Sequence, residues 1–262
     1  RRLRHAHADY LLRLAEASEA HHRGAEQARW LARLEAERDN LRLALEWSFA
    51  GADDQADDRT DAPDAGPNAA PDESRNDDRA LRLAAALHHF WYYRSHLHEG
   101  ERWLALALER AEASASPLLS RLLSAAGVLA SERGDEARAA ALFERRLALA
   151  RAEGDIRGQA AALNSLGILA WGRDDLASAQ RCTEASIALR RQLGEPHLLS
   201  VALNNLGLVA LAKGAHDAAR SALEESLALA RDLADEMGVA LALSNLSALA
   251  LESGEGARAA SL

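Results

Sequence analysis

The stretch ALNNLGLVALAKG, residues 202–214, sets two amides, Asn204 and Asn205, directly before Leu206 and Gly207 inside an otherwise apolar helical pattern. Asparagine and glycine are both poor in a helix interior, so they stand there for packing or for chemistry. Ten histidines are the other conspicuous polar set, with pairs at 21–22 and 88–89 followed by His96 and His98. Neighbours at i,i+1 or i,i+2 diverge around a helix, and no i,i+4 pair of histidines occurs, so their spacing offers no metal site. The single cysteine, Cys182, excludes an internal disulfide framework and fits a reducing cytoplasm. No phosphate loop of the GxxxxGK[ST] type is present, and no HExxH, GxSxG or CxxC motif. The sequence therefore assigns no catalysis, cofactor or metal to this chain.

The formal charge of −9 does not describe the body of the protein. Residues 51–78 carry ten acidic side chains against two arginines and three of the five prolines, which reads as a disordered acidic insertion. The remainder is nearly neutral and has no basic stripe, so nothing supports direct nucleic-acid binding. No apolar run reaches the ~18 residues of a membrane span. With 48% apolar residues and few aromatics, the composition points to an all-α protein with a substantial core. The sequence opens on RRLRHAHADY and stops at GEGARAASL, which reads as a piece of a longer chain.

These residues must be held by helices that repeat. At a shift of 40, LLSAAGVLASERGDEARAA from Leu122 aligns without gaps with the segments from Ala162, Ala202 and Ala242. Gly127, Gly167 and Gly207 recur, with Ser247 in the fourth copy, as do Ala139, Ala179, Ala219 and Ala259. An apolar stripe runs into punctuation at Gly134, Asp174, Gly214 and Gly254, and a second stripe follows, so each unit is a helical hairpin. One hairpin cannot bury its apolar face alone, so the units stack as a solenoid. Repeats are expected at 118–157, 158–197, 198–237 and 238–262, the last truncated. In this register Cys182 aligns with Leu142, Ala222 and Leu262, a packing position.

Ahead of them, residues 1–117 read as further hairpins, with helices over 3–22, 25–50, 79–98 and 99–113. Asp78 can cap the third of these and Ser116, before Pro117, supplies the next start signal. Phe90, Trp91, Tyr92, Tyr93 and Trp103 gather in fourteen residues, a pattern for the core of a joint between hairpins more than for ligand contact.

The repeat resembles the tetratricopeptide repeat. The family's small residue in the first helix matches Gly127, Gly167, Gly207 and Ser247, and its second-helix alanine matches Ala139, Ala179, Ala219 and Ala259. Its usual period is about 34; the six extra residues here lengthen each pair by about 9 Å. The family's late proline is missing, and its second-helix aromatic survives as Phe143, with Thr183 and Leu223 in the next copies. The resemblance implies a right-handed α-α superhelix whose first helices line a concave groove. Carried over position by position, the groove residues are Asn164, Ile168 and Trp171; Asn204, Leu208 and Leu211; Ser244, Ala248 and Leu251; and, in the first copy, Ser124, Val128 and Ser131. Amides beside an apolar strip suit a peptide, the amides bonding its backbone and the strip taking its side chains. Alternatively the amides bond between repeats, which satisfies groups that would cost about 1–3 kcal/mol each if buried unpaired. Asn205, in register with Ser165 and Asn245, is expected on a different side from Asn204.

Outside the repeats, His5 and Ala6, then Leu34, Glu35, Glu37, Asn40, Leu41 and Arg42, then Phe90, Trp91, Tyr92, Glu99, Gly100, Trp103 and Leu104, resemble a sharper pattern. It is similar to the region following the nucleotide-binding and winged-helix domains of bacterial LuxR-type and antibiotic-regulator transcription factors with an NB-ARC-like ATPase. That resemblance implies a cytoplasmic, non-catalytic sensing module that binds a peptide, protein or small effector and contacts upstream ATPase and DNA-binding domains. A scaffold or oligomerisation module without a ligand is the competing reading.

Overall fold

The structure, a computed structural model, describes residues 2–22, 24, 26–50 and 72–254. Among these there are twelve α-helices and no strand: α1 (Arg2–Glu19), α2 (Gln27–Ala36), α3 (Arg38–Phe49), α4 (Asp72–Tyr93), α5 (Leu97–Ala113), α6 (Leu119–Glu132), α7 (Glu136–Ala152), α8 (Ile156–Gly172), α9 (Leu176–Leu193), α10 (Pro196–Ala212), α11 (His216–Asp232) and α12 (Glu236–Glu252). None of the described helices is long and apolar enough to cross a membrane. The chain divides into two compact units, 1–139 and 140–262, with the division falling inside α7.

The turns follow a simple rule. Residues 134, 154, 174, 194, 214, 234 and 254 all take the left-handed conformation; five are glycine, and Asp174 (φ 61°) and Ala234 (φ 52°) are not. Asp135, Asp155, Asp175 and Asp235 follow at once. Each donates its N–H back to the carbonyl five residues earlier, as Asp155 does to Ala150 at 2.8 Å. Each carboxylate then accepts a backbone N–H three residues on, from Arg138, Gly158, Ser178 and Gly238. Two residues thus end one helix and cap the next.

In the unit 140–262, α8 packs on α9, α10 on α11, and each second helix on the first helix of the next pair, α9 on α10 and α11 on α12. Gly167 and Gly207 are close-approach positions: a methyl built on Gly207 would stand 2.5 Å from Leu223 Cγ. Ala179, Ala219, Leu223 and Ala230 are fully buried at the seams. Hydroxyls finish them, Ser186 donating to the Ala160 carbonyl at 2.8 Å and Ser226 to that of Ser200 at 2.8 Å.

In the unit 1–139, α4 is central, touching α1, α2, α3, α5 and α6. Three expectations are corrected here. The helix expected over 25–50 breaks at Glu37 (φ −99°, ψ 5°), whose carboxylate accepts from the Asn40 amide at 2.7 Å, while Arg38 reaches Glu99 on α5 at 2.8 Å. α4 begins at Asp72, so 72–78 of the acidic stretch is helical and Asp78 lies inside the helix instead of capping it. Buried Asn76 accepts from Arg79, and Arg110 clamps Asp77 together with the Phe49 carbonyl, which ties this first part of α4 to the body. α4 also ends at Tyr93, short of 98, because Ser95 turns left-handed (φ 57°) and His96 donates back to the Trp91 carbonyl. The remainder of the insertion, 51–71, lies outside the described residues.

Candidate functional site

The wall formed by the first helices α8, α10 and α12 carries most of the residues assigned to a groove. Ile168 (47% exposed), Trp171 (41%) and Leu251 (65%) are large apolar side chains open to solvent, and Ser244 is exposed beside them. Met237 and Leu241 continue the strip on α12. Asn164, Asn204, Leu208 and Ala248 are half-buried, as is Leu211, which packs against the core of Leu223, Leu227 and Leu246. Ser124, Val128 and Ser131 are half-buried on α6, in the other compact unit.

The amides of this wall are linked. Asn205 Nδ2 donates to Asn164 Oδ1 at 3.2 Å, and Asn245 Nδ2 donates to Asn204 Oδ1 at 2.9 Å. Asn205 therefore faces a different side from Asn204, as expected: it joins α10 to the first helix before it, whereas Asn204 meets the one after. Each bond spans 41 residues, one more than the period, because the contact runs diagonally between neighbouring helices. The bonds also settle orientation: the oxygens of Asn164 and Asn204 are engaged, and among the described residues their Nδ2 groups have no partner. The wall thus presents donors of fixed direction next to an apolar strip.

Between α8 and α10 the strip opens into a cavity of about 90 Å³. Ile168, Trp171, Leu208 and Val209 form its sides, Gly167 and Thr183 its floor, and Asn205 its rim. Sequence reading brought Ile168, Trp171 and Leu208 to this place and missed Asn205 and Thr183. The signal for Thr183 is its register: it stands where the other copies carry Phe143 and Leu223. A second, larger cavity of about 600 Å³ lies in the other unit, between α1 and α3 beside Arg4, His7, Leu43 and Trp47.

The remaining candidates are structural. His22 stacks on His89 with centroids 4.2 Å apart and planes within 6°, and His88 lies 3.8 Å from His89. The Nδ1 atoms of His22 and His88 bond the Glu19 and Ala85 carbonyls, and parallel rings do not converge their nitrogens on one point. No group of three ligand-type side chains among the described residues can hold a metal ion. Burial pushes the His88 imidazole below its ordinary value, with the charge of nearby His22 acting the same way. Burial likewise raises the Cys182 thiol, which is half-buried at its packing position and thereby a poorer nucleophile. Of the aromatic cluster, Phe90, Trp91 and Trp103 are fully buried, and Tyr93 is exposed.

The residues of the second resemblance serve packing in this unit. Leu34, Leu41 and Leu104 are buried, Glu35 meets His96 at 3.1 Å, and Glu99 pairs with Arg38. Gly100 is needed where it stands, since a methyl there would lie 2.6 Å from Leu129 Cδ1 and 2.9 Å from Trp91 Cβ.

Comparison with known proteins agrees with this geometry. No curated protein matches the sequence. Among solved structures, BtubC (BKLC) from P. vanneervenii is similar at a TM-score of 0.59 and 17% identity, over 88% of this chain and 89% of that one. NprR in complex with its cognate peptide NprX is similar at 0.62 and 11% identity, over 97% of this chain and 64% of NprR. A Rap protein complexed with competence and sporulation factor is similar at 0.62 and 11% identity, over 99% of this chain and 74% of that one. At these identities the likeness is one of fold, an all-α array of the tetratricopeptide type. The family model for the tetratricopeptide repeat matches residues 158–232, which hold α8 to α11 and two of the three first helices that build the wall.

Proposed function

We propose that this chain is a non-catalytic interaction module that binds an extended peptide segment on the wall of α8, α10 and α12. The observation that carries the reading is the coincidence of exposed Ile168, Trp171 and Leu251 with the oriented amides of Asn164 and Asn204 on the same helices. Exposed apolar side chains in a contiguous strip mark an interaction surface, and fixed N–H donors suit backbone carbonyls of a bound strand. Two proteins of similar fold, NprR and a Rap protein, were solved with a peptide and with competence and sporulation factor, which supports a peptide as occupant.

The wider setting belongs to the same proposal. The matches at 34–42 and 90–104 support a sensing region of a bacterial LuxR-type regulator with an NB-ARC-like ATPase, cytoplasmic and without direct contact to nucleic acid. Binding would then act by favouring one arrangement of the parent over another.

The test is to pan a random dodecapeptide library against the full chain and remeasure a selected peptide on Asn204→Ala and Leu208→Ala. Each variant is expected to weaken binding by roughly tenfold, as for the loss of about 1.4 kcal/mol. Unchanged affinity in both overturns the wall as the binding surface.

A further inference from the structure

The cavity of about 90 Å³ between α8 and α10 has a cause in the sequence. In the repeats 158–197 and 198–237 one second-helix residue sits under the first-helix glycine, Thr183 under Gly167 and Leu223 under Gly207. Leu223 fills that place below Gly207, where a methyl would stand 2.5 Å from its Cγ, and Phe143 is buried at the equivalent position of its own helix. In the repeat between them the residue is Thr183, fully buried and smaller than either. Its Oγ1 donates to the Ala179 carbonyl at 2.8 Å, so the floor holds no unsatisfied polar group. The volume that leucine or phenylalanine would occupy is left open, and it opens beside exposed Trp171 on the binding wall.

We infer that this cavity is a specificity pocket for one branched aliphatic side chain, leucine, isoleucine or valine, of the segment bound on the wall, and that Thr183 is the residue that makes it. The inference rests on the binding surface proposed above. Size sets the class: a dry cavity of roughly 150 Å³ takes a benzene ring, so about 90 Å³ suits a branched side chain of three or four carbons and is small for an aromatic one. Chemistry agrees, because the sides are Ile168, Trp171, Leu208 and Val209 and both polar groups of the lining are engaged, the Thr183 hydroxyl with the Ala179 carbonyl and the Asn205 amide with Asn164. A charged side chain would find no partner there.

The test uses the full chain and three probes, the N-acetyl methylamides of leucine, alanine and phenylalanine, followed through the Trp171 indole and Asn205 amide resonances. The leucine compound is expected to shift both signals saturably and at least roughly tenfold more tightly than the other two. Thr183→Leu, which copies Leu223 of the next repeat, should fold with an equal or higher thermal midpoint and lose that preference. Equal binding of the leucine and alanine compounds, or undiminished leucine binding to Thr183→Leu, overturns the pocket. The library peptide separates the two proposals. If Asn204→Ala and Leu208→Ala weaken it and Thr183→Leu does not, the wall stands and the pocket falls; if none of the three weakens it, both fall.

Discussion

In residues 1–139 the joints between helices are filled with rings and charges. Trp91, Trp103 and Phe90 are buried, Phe49 stacks on Trp103 at 5.6 Å, and α4 is tied to α1 by Arg79–Asp9 and Arg82–Glu16. Arg121–Glu19, Arg110–Asp77 and Arg133–Glu101 bind further helices of the same unit. In residues 140–262 leucine and isoleucine fill the cores, Phe143 is the single large ring buried among the described residues, and alanine, glycine, hydroxyls and amides make the close joints between helices. The difference follows from repetition. A helix in a translational array meets its predecessor with one face and its successor with another, so each joint is best made by groups that are donor and acceptor at once. Asparagine with asparagine and Ser200 with Ser226 meet that condition. An arginine–glutamate joint needs two different residues, and it suits contacts that occur once, such as Arg38 with Glu99.

Tryptophan tests the contrast most strongly. Trp91→Ala empties a filled joint and should cost about 3–5 kcal/mol in urea unfolding, whereas Trp171→Ala, on the open wall, should stay within about 0.5 kcal/mol. Similar losses at the two sites would break the comparison. A smaller effect is expected from overfilling the array: Gly207→Val meets Leu223 and should cost about 1–3 kcal/mol. Gly172→Ala is its control, since nothing lies within 4 Å of a methyl there. The smallest is a gain. Ala234 holds a left-handed backbone, so Ala234→Gly should raise stability by about 1 kcal/mol, read as a higher urea midpoint; a fall would mean that this turn is not strained.

Repetition also governs what could be read from residues alone. Gly134, Asp174, Gly214 and Gly254 gave away the hairpins because one constraint recurs at one interval, and all four do take positive φ. The break at Glu37 gave no such signal, since glutamate and arginine are good helix formers and Glu99, the partner of Arg38, lies 61 residues away. Similarly Asp77 looks like solvated acid until Arg110 on another helix claims it. On the wall, Ile168, Trp171 and Leu208 followed from equivalence between repeats. The Asn164–Asn205 bond did not, because equivalence relates positions 40 apart and the bond joins positions 41 apart.

The left-handed residues at 134, 154, 174, 194, 214, 234 and 254 act as a metre for the chain. One residue gained or lost inside a helix would rotate everything beyond it by about 100° and scatter the amide row and the apolar strip to different sides. A gain or loss of a whole 40-residue stretch, turn to equivalent turn, would keep every helix in phase with its neighbours. The wall proposed to bind a peptide can therefore lengthen or shorten by recombination in complete pairs without losing the phase of its helices.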